Sequence, residues 1–490
     1  MKRAVHTELM LEVDDDDGHG HPRYSIKKFV AMDDYCQSTP LWRVLLVIAL
    51  TPLPGTLLTL CICGVPLRNP TLGVMHTPGI VLHLFLFVIG VTFGTLLHTL
   101  AGVDVPTNVY STTEALVMSC VCSAVVVITA LPFAVYFLFP IPFTIAIVYP
   151  IWFAIFCVTH VMVFRKRLYG PRGLISALRL YVPALFIQQV QVVIYPFVSV
   201  IYAQGGFKVQ IVLTLLFPVL KLALKRALAR SARPLNRDNH ADVIVSGIEI
   251  PASIYQSMVM QSAPTAAALG AIMGIDVIQG IFAVKLFMDK KVPTSRGELF
   301  AKAIGTIRAH SIKDWASIAS SRGDNMKRRS SIEWLSEESA DRVAVVRRAL
   351  ELSYVAESIL LVEYFEVAIP IANMLYLLVA AQLPSAVYNL KVRPFYNDDD
   401  ALRKATSSVL LYTLLQGISL VAMQLVMSYR YNLRALHQVA FALEYHMRSV
   451  QGKIIGWLVV ILHLTLVHYG TDFSLQFNYA ELLNNTTTEH

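Results

Sequence analysis

The sequence predicts an all-α protein, a polytopic bundle of membrane-spanning helices. Of its 490 residues, 55% are hydrophobic and only 15% are charged, whereas about 25% of residues are charged in soluble globular domains. The mean hydropathy is +0.56, which excludes an ordinary soluble fold. Apolar runs recur along the whole chain, and at about 20 residues per crossing they predict about nine or ten spans.

The first half of the chain predicts a bundle of six spans. Each apolar run is interpreted as a helix, because a backbone exposed to lipid must satisfy its own hydrogen bonds. We expect this bundle to occupy residues 41–226, after a polar cytosolic tail at 1–40. The runs cover residues 42–64, 79–102, 114–138, 141–164, 180–203 and 206–225.

Basic residues orient these spans. The stretch FRKRLYGPRG at 164–173 contains no acidic residue, and neither does KLALKRALARSARPLNR at 221–237. Short loops rich in lysine and arginine stay in the cytosol, which places the N-terminus there and makes 227–249 a basic cytosolic linker. The net charge of +8 therefore indicates contact with anionic lipids of the inner leaflet of the plasma membrane or an endomembrane, and not with nucleic acid.

The second half predicts a C-terminal membrane bundle at 351–471, with spans at 356–390, 405–427 and 454–470. Within it, the amphipathic segment 428–453 favours a helix lying in the membrane interface. A cytosolic connecting helix is the alternative for that segment. A polar tail at 472–490 follows the last span.

The apolar segment 250–288 is longer than one span. If the basic segment 289–350 is cytosolic, 250–288 begins and ends on the cytosolic side and forms a hairpin or re-entrant pair broken near Pro264. A single span is the alternative, because long loops cross membranes despite their charge.

Three positions have the local sequence of a modification site. Ser331 follows two arginines in KRRSSI, the spacing that basophilic protein kinases prefer. Asn484 and Asn485 begin glycosylation sequons, which matter only if the C-terminal tail faces the lumen or the exterior. Chance sequons in a polar tail are the alternative.

Ionisable residues inside the apolar segments predict a functional site. Asp276 and Gln279 lie in AIMGIDVIQG, and Glu363, Glu366 and Asn373 lie in ESILLVEYFEVAIPIANMLY. Charges at bilayer depth are costly and usually face a cavity or a partner. We expect these five side chains to form a binding site for a substrate or ion.

The local geometry favours a proton or a cation at this site. Glu363 and Glu366 are three residues apart on one helix face, and Asn373 lies two turns beyond Glu366. Pro370 lacks the N–H that would bond the Glu366 carbonyl, so that oxygen is freed near the carboxylates. The alternative is structural, with the carboxylates salt-bridged to lysine or arginine.

Other chemistry is not indicated by the sequence. It contains no phosphate-binding loop, no dinucleotide fingerprint, no zinc-protease motif and no nucleophile elbow. We therefore predict neither an enzyme nor a cofactor, and the sequence does not identify a metal.

The second half resembles a large family of oomycete multi-pass membrane proteins. The similarity rests on LLVEYFEVAIPIANMLYLLVAAQLPSAVYN at 360–389, on QVAFALEYHMRSVQGKIIGWLVVILHLTLVHYGTDF at 438–473 and on MGIDVIQG at 273–280. It implies an integral membrane protein of that lineage. No activity is established for that family, so the resemblance implies no site residues.

The function expected from the sequence is a transporter or channel for a small solute or ion. Its site would lie where segments 250–288 and 356–390 meet. The alternative is a membrane receptor or scaffold that does not transport and recruits partners through 289–350.

Overall fold

The computed structural model describes residues 24–136, 139–168, 174–261, 270, 273–275, 278–282, 285, 298–309 and 337–470. Within these ranges the regular structure is helical, with no strand and one isolated bridge between Asn389 and Leu466. In the same ranges, six helices are long and apolar enough to cross a membrane. The prediction of an all-α membrane bundle is confirmed.

The helices follow the predicted spans closely in the first half, and they are numbered here in chain order. Their bounds are α1 Ile26–Ser38, α2 Leu41–Leu50, α3 Leu53–Cys63, α4 Pro78–Gly102, α5 Thr112–Tyr136, α6 Thr144–Leu168, α7 Leu174–Gln204, α8 Phe207–Ala232, α9 His240–Gln261, α10 Leu299–Ala309, α11 Glu337–Ala380, α12 Asp399–Tyr431, α13 Ala435–Tyr445 and α14 Met447–His463.

Helices α2 and α3 together form the first span, which is interrupted at Pro52. Proline lacks the N–H that would continue the ladder, and its fixed φ suits the start of a new helix. Elsewhere prolines are tolerated inside continuous helices, and Pro370 lies within α11.

Helices α4 and α14 pack along glycine faces. Each carries a Gly-x-x-x-Gly pattern, Gly90 and Gly94 on α4 and Gly452 and Gly456 on α14. A Cβ atom added at Gly94 would lie 2.6 Å from the carbonyl oxygen of Gly452. Small residues at such spacing let two backbones approach closely. The last helix therefore packs into the first half of the chain, and the structure does not separate the two predicted bundles.

Helix α9 lies at the centre of the molecule. Of its most apolar window, 94% is buried inside the protein, and it packs against α7, α8, α11, α12 and α14. The predicted linker at 227–249 is therefore mostly helical, because α8 extends to Ala232 and α9 already begins at His240. The acidic side chains that lower the hydropathy of this segment are buried among other helices.

The connections between helices gather at two opposite ends of the bundle. At the first end, Ser25 before α1 donates to Asp238 between α8 and α9. Asn239 of the same connection donates to Asp104, which follows α4. Arg308 of α10 pairs with Asp33 of α1. The connection before α9 and helix α10 therefore both lie at this end.

The second end joins the remaining connections. The Phe143 N–H donates to the carbonyl of Gly470, and His468 contacts the carbonyl of Arg68 at 2.8 Å. The Ser385 hydroxyl, after α11, donates to the carbonyl of Cys63 at the end of α3. Successive long helices therefore alternate in direction up to α9 and again from α11 to α14. Helices α9 and α11 instead run in the same direction, with Glu249 near Glu366 and Ser257 bonded to Asn373.

The segment predicted to lie in the membrane interface is divided and largely buried. Helix α12 continues to Tyr431, Asn432 turns the chain with a left-handed φ of 54°, and α13 follows. Val439, Ala440 and Leu443 of α13 are buried, and α13 packs against α1, α2 and α11. Its apolar face is thus covered by protein and not by lipid, in contrast to the prediction for 428–453.

Candidate functional site

One face of the buried helix α9 is polar along most of its length. The side chains share a heptad-like spacing of three or four residues, which aligns them on one face. They are Asp242, Ser246, Glu249, Ser253 and Ser257, and all five residues are buried. Because buried charges must be paired, the partners of Asp242 and Glu249 determine how this helix is held.

Glu249 is the centre of an ion-pair cluster built by three helices. Lys221 of α8 lies 2.7 Å from Glu249 and 2.9 Å from Glu366 of α11, measured from its Nζ atom to carboxylate oxygens. Lys225, one turn after Lys221, also pairs with Glu249. We call these residues, together with Glu363 of α11, the α8–α9–α11 cluster.

Glu363 gives this cluster an excess of carboxylates. It lies one turn before Glu366, is 4% exposed, and lies beside the Ser419 hydroxyl of α12. Among the described residues, no lysine or arginine lies within ion-pair distance of it. The cluster therefore sets two lysines against three carboxylates, and one further positive charge would neutralise it.

The structure brings together only part of the predicted site. Glu363 and Glu366 belong to one cluster, as their spacing predicts. Asn373 instead donates a hydrogen bond to Ser257 of α9 at 2.6 Å, and it lies about 10 Å along the helix axis from Glu366 at 1.5 Å per residue.

The predicted segment around Gln279 lies close to the same cluster. Gln279 is half-buried, and a Cβ atom added to the neighbouring Gly280 would lie 3.1 Å from the Ser419 oxygen. Ser419 in turn lies beside Glu363. Asp276 lies outside the described residues, as do Ser331, Asn484 and Asn485.

A second buried ion pair lies two turns before Glu249. The Lys453 Nζ of α14 is 2.9 Å from a carboxylate oxygen of Asp242 and donates to the Ser246 hydroxyl at 2.7 Å. Both charged side chains are closed to solvent, with exposed fractions of 0% and 1%. This pair connects the polar face of α9 with the glycine-packed α14.

A third buried pair fastens the N-terminal helix. Lys28 of α1 lies 2.8 Å from Glu357 of α11 and 2.9 Å from the His446 ring. Its ammonium also stands over the rings of Tyr24 and Tyr445. Cation–π contacts and ion pairing together compensate for the burial of this lysine.

Sequence reasoning missed most of the charges in these pairs. Lys221 and Lys225 belong to a stretch that predicts a cytosolic basic flank, yet both are bound to acids inside the bundle. The signal that could have found their partner is Glu249 in the apolar run VIVSGIEIPASI. Within the described part of the chain, no group of three His, Cys, Asp or Glu side chains could hold a metal ion.

Comparison with known proteins does not place the chain in a family. No family model, curated protein or solved structure matches it. The resemblance to oomycete multi-pass membrane proteins therefore stays a prediction.

Proposed function

We propose that this protein is a membrane transporter or channel for a small solute or ion, and that a proton bound at Glu363 controls it. The single observation that carries the proposal is the third carboxylate of the α8–α9–α11 cluster, which has no basic partner among the described residues. An ionisable group at bilayer depth is expensive and usually functional. If these side chains served only to hold the helices together, equal numbers of acidic and basic groups would give a more stable protein.

The cluster favours a proton over a metal ion as the missing charge. Lys221 already occupies the position beside Glu366 that a bound cation would take. A carboxyl group, in contrast, becomes neutral by binding one proton and needs no further space.

Lys221 provides a way to convert protonation into movement. It bridges Glu249 of α9 and Glu366 of α11 from its position on α8. When Glu363 loses its proton, the added negative charge beside Glu366 draws Lys221 towards α11 and weakens its hold on Glu249. Helices α8, α9 and α11 then have two arrangements, and proton binding favours one of them. A switch requires two such states.

The proposal is tested by infrared difference spectroscopy and by transport on the same protein. A pH jump should produce the C=O band of a protonated carboxylic acid, and Glu363→Gln should remove it and abolish proton-driven flux in liposomes. Glu351→Gln is the matched control, because within the described part of the chain Glu351 pairs only with Arg347 and Arg348, at the surface. A well-folded Glu363→Gln protein with an unchanged band and unchanged flux would contradict the proposal.

Glu366 and Asp276 complete the proposed site. Glu366→Gln should abolish flux in protein that still inserts and folds. We propose that Asp276, with Gln279, faces the same cluster, because Gly280 approaches Ser419. Asp276→Asn should then shift the pH dependence of flux, since removal of one charge changes the titration of its neighbours.

We further propose a cytosolic N-terminus in the plasma membrane or an endomembrane, and membership of the oomycete family named above. At one end, Ser25 donates to Asp238 and Asn236 donates to Asp104. These bonds join three connections that all lie on the cytosolic side if the N-terminus is cytosolic and the spans cross in turn, which agrees with this sidedness. Basic loops at that end would bind anionic lipids. A protein kinase acting on Ser331 would weaken that binding by adding negative charge.

A further inference from the structure

Two adjoining cavities form a crevice between α4, α6, α7 and α14. The inner cavity has a volume of about 90 Å³ and the outer one about 460 Å³. Both are lined by Ile145 and Tyr149 of α6 and by Gln189 and Val192 of α7. We call the two together the α6–α7 crevice. It is separate from the α8–α9–α11 cluster.

The crevice opens towards lipid. Phe186 and Val193 line its outer part and are 68% and 71% exposed. They lie on α7, whose apolar window is only 22% buried inside the protein. In a membrane-spanning helix, such exposed apolar side chains face acyl chains, so a ligand would enter from the bilayer and not from water.

The inner end of the crevice is polar but without net charge. His98 and Gln188 line it beside Lys453, and the charge of Lys453 is balanced by Asp242 at 2.9 Å. An anionic headgroup placed there would be left without a counter-charge. A neutral group that donates and accepts hydrogen bonds fits this end better.

Gln189 marks where that polar group would bind. Its side chain lines both cavities, and among the described residues it makes no hydrogen bond. Gln191 differs, because it donates to the carbonyl of Gly247 at 3.2 Å. The buried amide nitrogen of Gln188, which lines the inner cavity, also has no hydrogen-bond partner among the described residues. An amide left without a partner at bilayer depth is costly, and a ligand hydroxyl would satisfy it.

The walls of the crevice suit a rigid body. Aromatic and β-branched side chains have few rotamers and present stiff, flat surfaces. Those of the outer cavity include Phe143, Ile145, Tyr149, Val190, Val192 and Val193. We propose that the α6–α7 crevice binds a membrane sterol, with its hydroxyl on Gln189 and its ring system against these walls.

Photolabelling in nanodiscs tests the proposal. A sterol carrying a diazirine on its ring system is crosslinked by light, and labelled peptides are located by mass spectrometry. We expect labels on α6 and α7, and displacement by unlabelled sterol but not by a fatty acid or a long-chain alcohol. Gln189→Leu should lower sterol affinity by about 2- to 10-fold, the effect of one lost neutral hydrogen bond.

Steric variants separate the crevice from general lipid contact. Val193→Trp should block the outer cavity and remove most labelling of α6 and α7. Val212→Trp on α8 is the matched control, since Val212 is 61% exposed but does not line the crevice. Equal labelling by a diazirine fatty acid, or unchanged sterol labelling in both Gln189→Leu and Val193→Trp, would overturn the proposal. The labelling measures sterol binding alone, so its outcome does not depend on proton-driven flux or on Glu363.

Discussion

Lys453 on α14 and Asp242 on α9 form an ion pair of 2.9 Å in which neither side chain reaches solvent. Loss of one partner of such a pair leaves a charge that nothing compensates. Lys453→Met should therefore lower the free energy of unfolding by about 3–5 kcal/mol, seen as a lower melting temperature in detergent. The double variant Lys453→Met/Asp242→Asn should recover part of that loss.

The surface provides the control for this pair. Arg347 and Glu351 are also paired, but their side chains are 46% and 36% exposed. Arg347→Met should change stability by less than about 1 kcal/mol, as for other exposed pairs. If Lys453→Met were as mild as Arg347→Met, the buried pair would not hold α9 to α14.

The N-terminal helix should be released when its buried lysine is lost. Burial, with a smaller effect of Asp33, raises the pKa of the Cys36 thiol on α1 from 9.0 to about 11. A raised thiol pKa leaves less thiolate at neutral pH, and two pKa units correspond to a factor of about 100. In Lys28→Met, undocking of α1 should return the pKa towards 9 and increase maleimide labelling of Cys36, by up to about 100-fold.

Peptide mass spectrometry at pH 7 measures this labelling at Cys36 alone, with the other cysteines in place. Lys27→Met is the matched control, because Lys27 is the exposed neighbour of the buried Lys28. The same labelling rate in both variants would show that the pair with Glu357 does not dock α1.

Glycine packing between α4 and α14 should not tolerate even one methyl group. In Gly94→Ala the new Cβ atom would lie 2.6 Å from a backbone oxygen and 2.8 Å from a backbone nitrogen, so the helices must separate. We expect a loss of about 1–3 kcal/mol, typical of overpacking. In Gly417→Ala on α12 the Cβ atom meets no atom of the described residues within 4 Å, and the higher helix propensity of alanine should stabilise the protein slightly. Thermal melts of both variants make the comparison, and equal melting temperatures would contradict it.

Single cysteines should reveal the orientation of the bundle. Met75 lies in the connection between α3 and α4 and is 71% exposed, and Thr107 lies exposed between α4 and α5. With native cysteines replaced, Met75→Cys should react with an impermeant maleimide on intact cells or sealed right-side-out membranes, and Thr107→Cys only after permeabilisation. The reverse result would invert the proposed sidedness.

Hydropathy predicts the membrane spans of this chain well, but it does not predict which charged segments are buried in the bundle. The predicted span 79–102 and the helix Pro78–Gly102 differ by one residue, because apolar length is a local property. The segment 240–249 is wrongly assigned to a linker because Asp242 and Glu249 make it look polar. Its burial depends on Lys453 and Lys221, whose positions in space cannot be deduced from sequence distance.

The candidate site was predictable to the same extent. The one-turn spacing of Glu363 and Glu366 correctly places them together, since a helix fixes that geometry. The spacing to Asn373 also predicts a common face. Two helical turns separate Asn373 from the carboxylates, however, and it donates a hydrogen bond to Ser257 of α9 instead. A face is determined by local periodicity, whereas membership of a site is determined by the neighbouring helices.

The packing of α14 between α4 and α9 has a consequence for the order of synthesis. Helix α14 is the last described helix to leave the ribosome, and it supplies both Lys453 and the glycine face opposite Gly94. Until it arrives, Asp242 lacks its partner Lys453 and the glycine face of α4 is uncovered. The bundle cannot be completed helix by helix as the chain enters the membrane. A ribosome that stopped before Met447 would release a protein with a bare carboxylate at its centre, the kind of unassembled chain that cellular quality control removes.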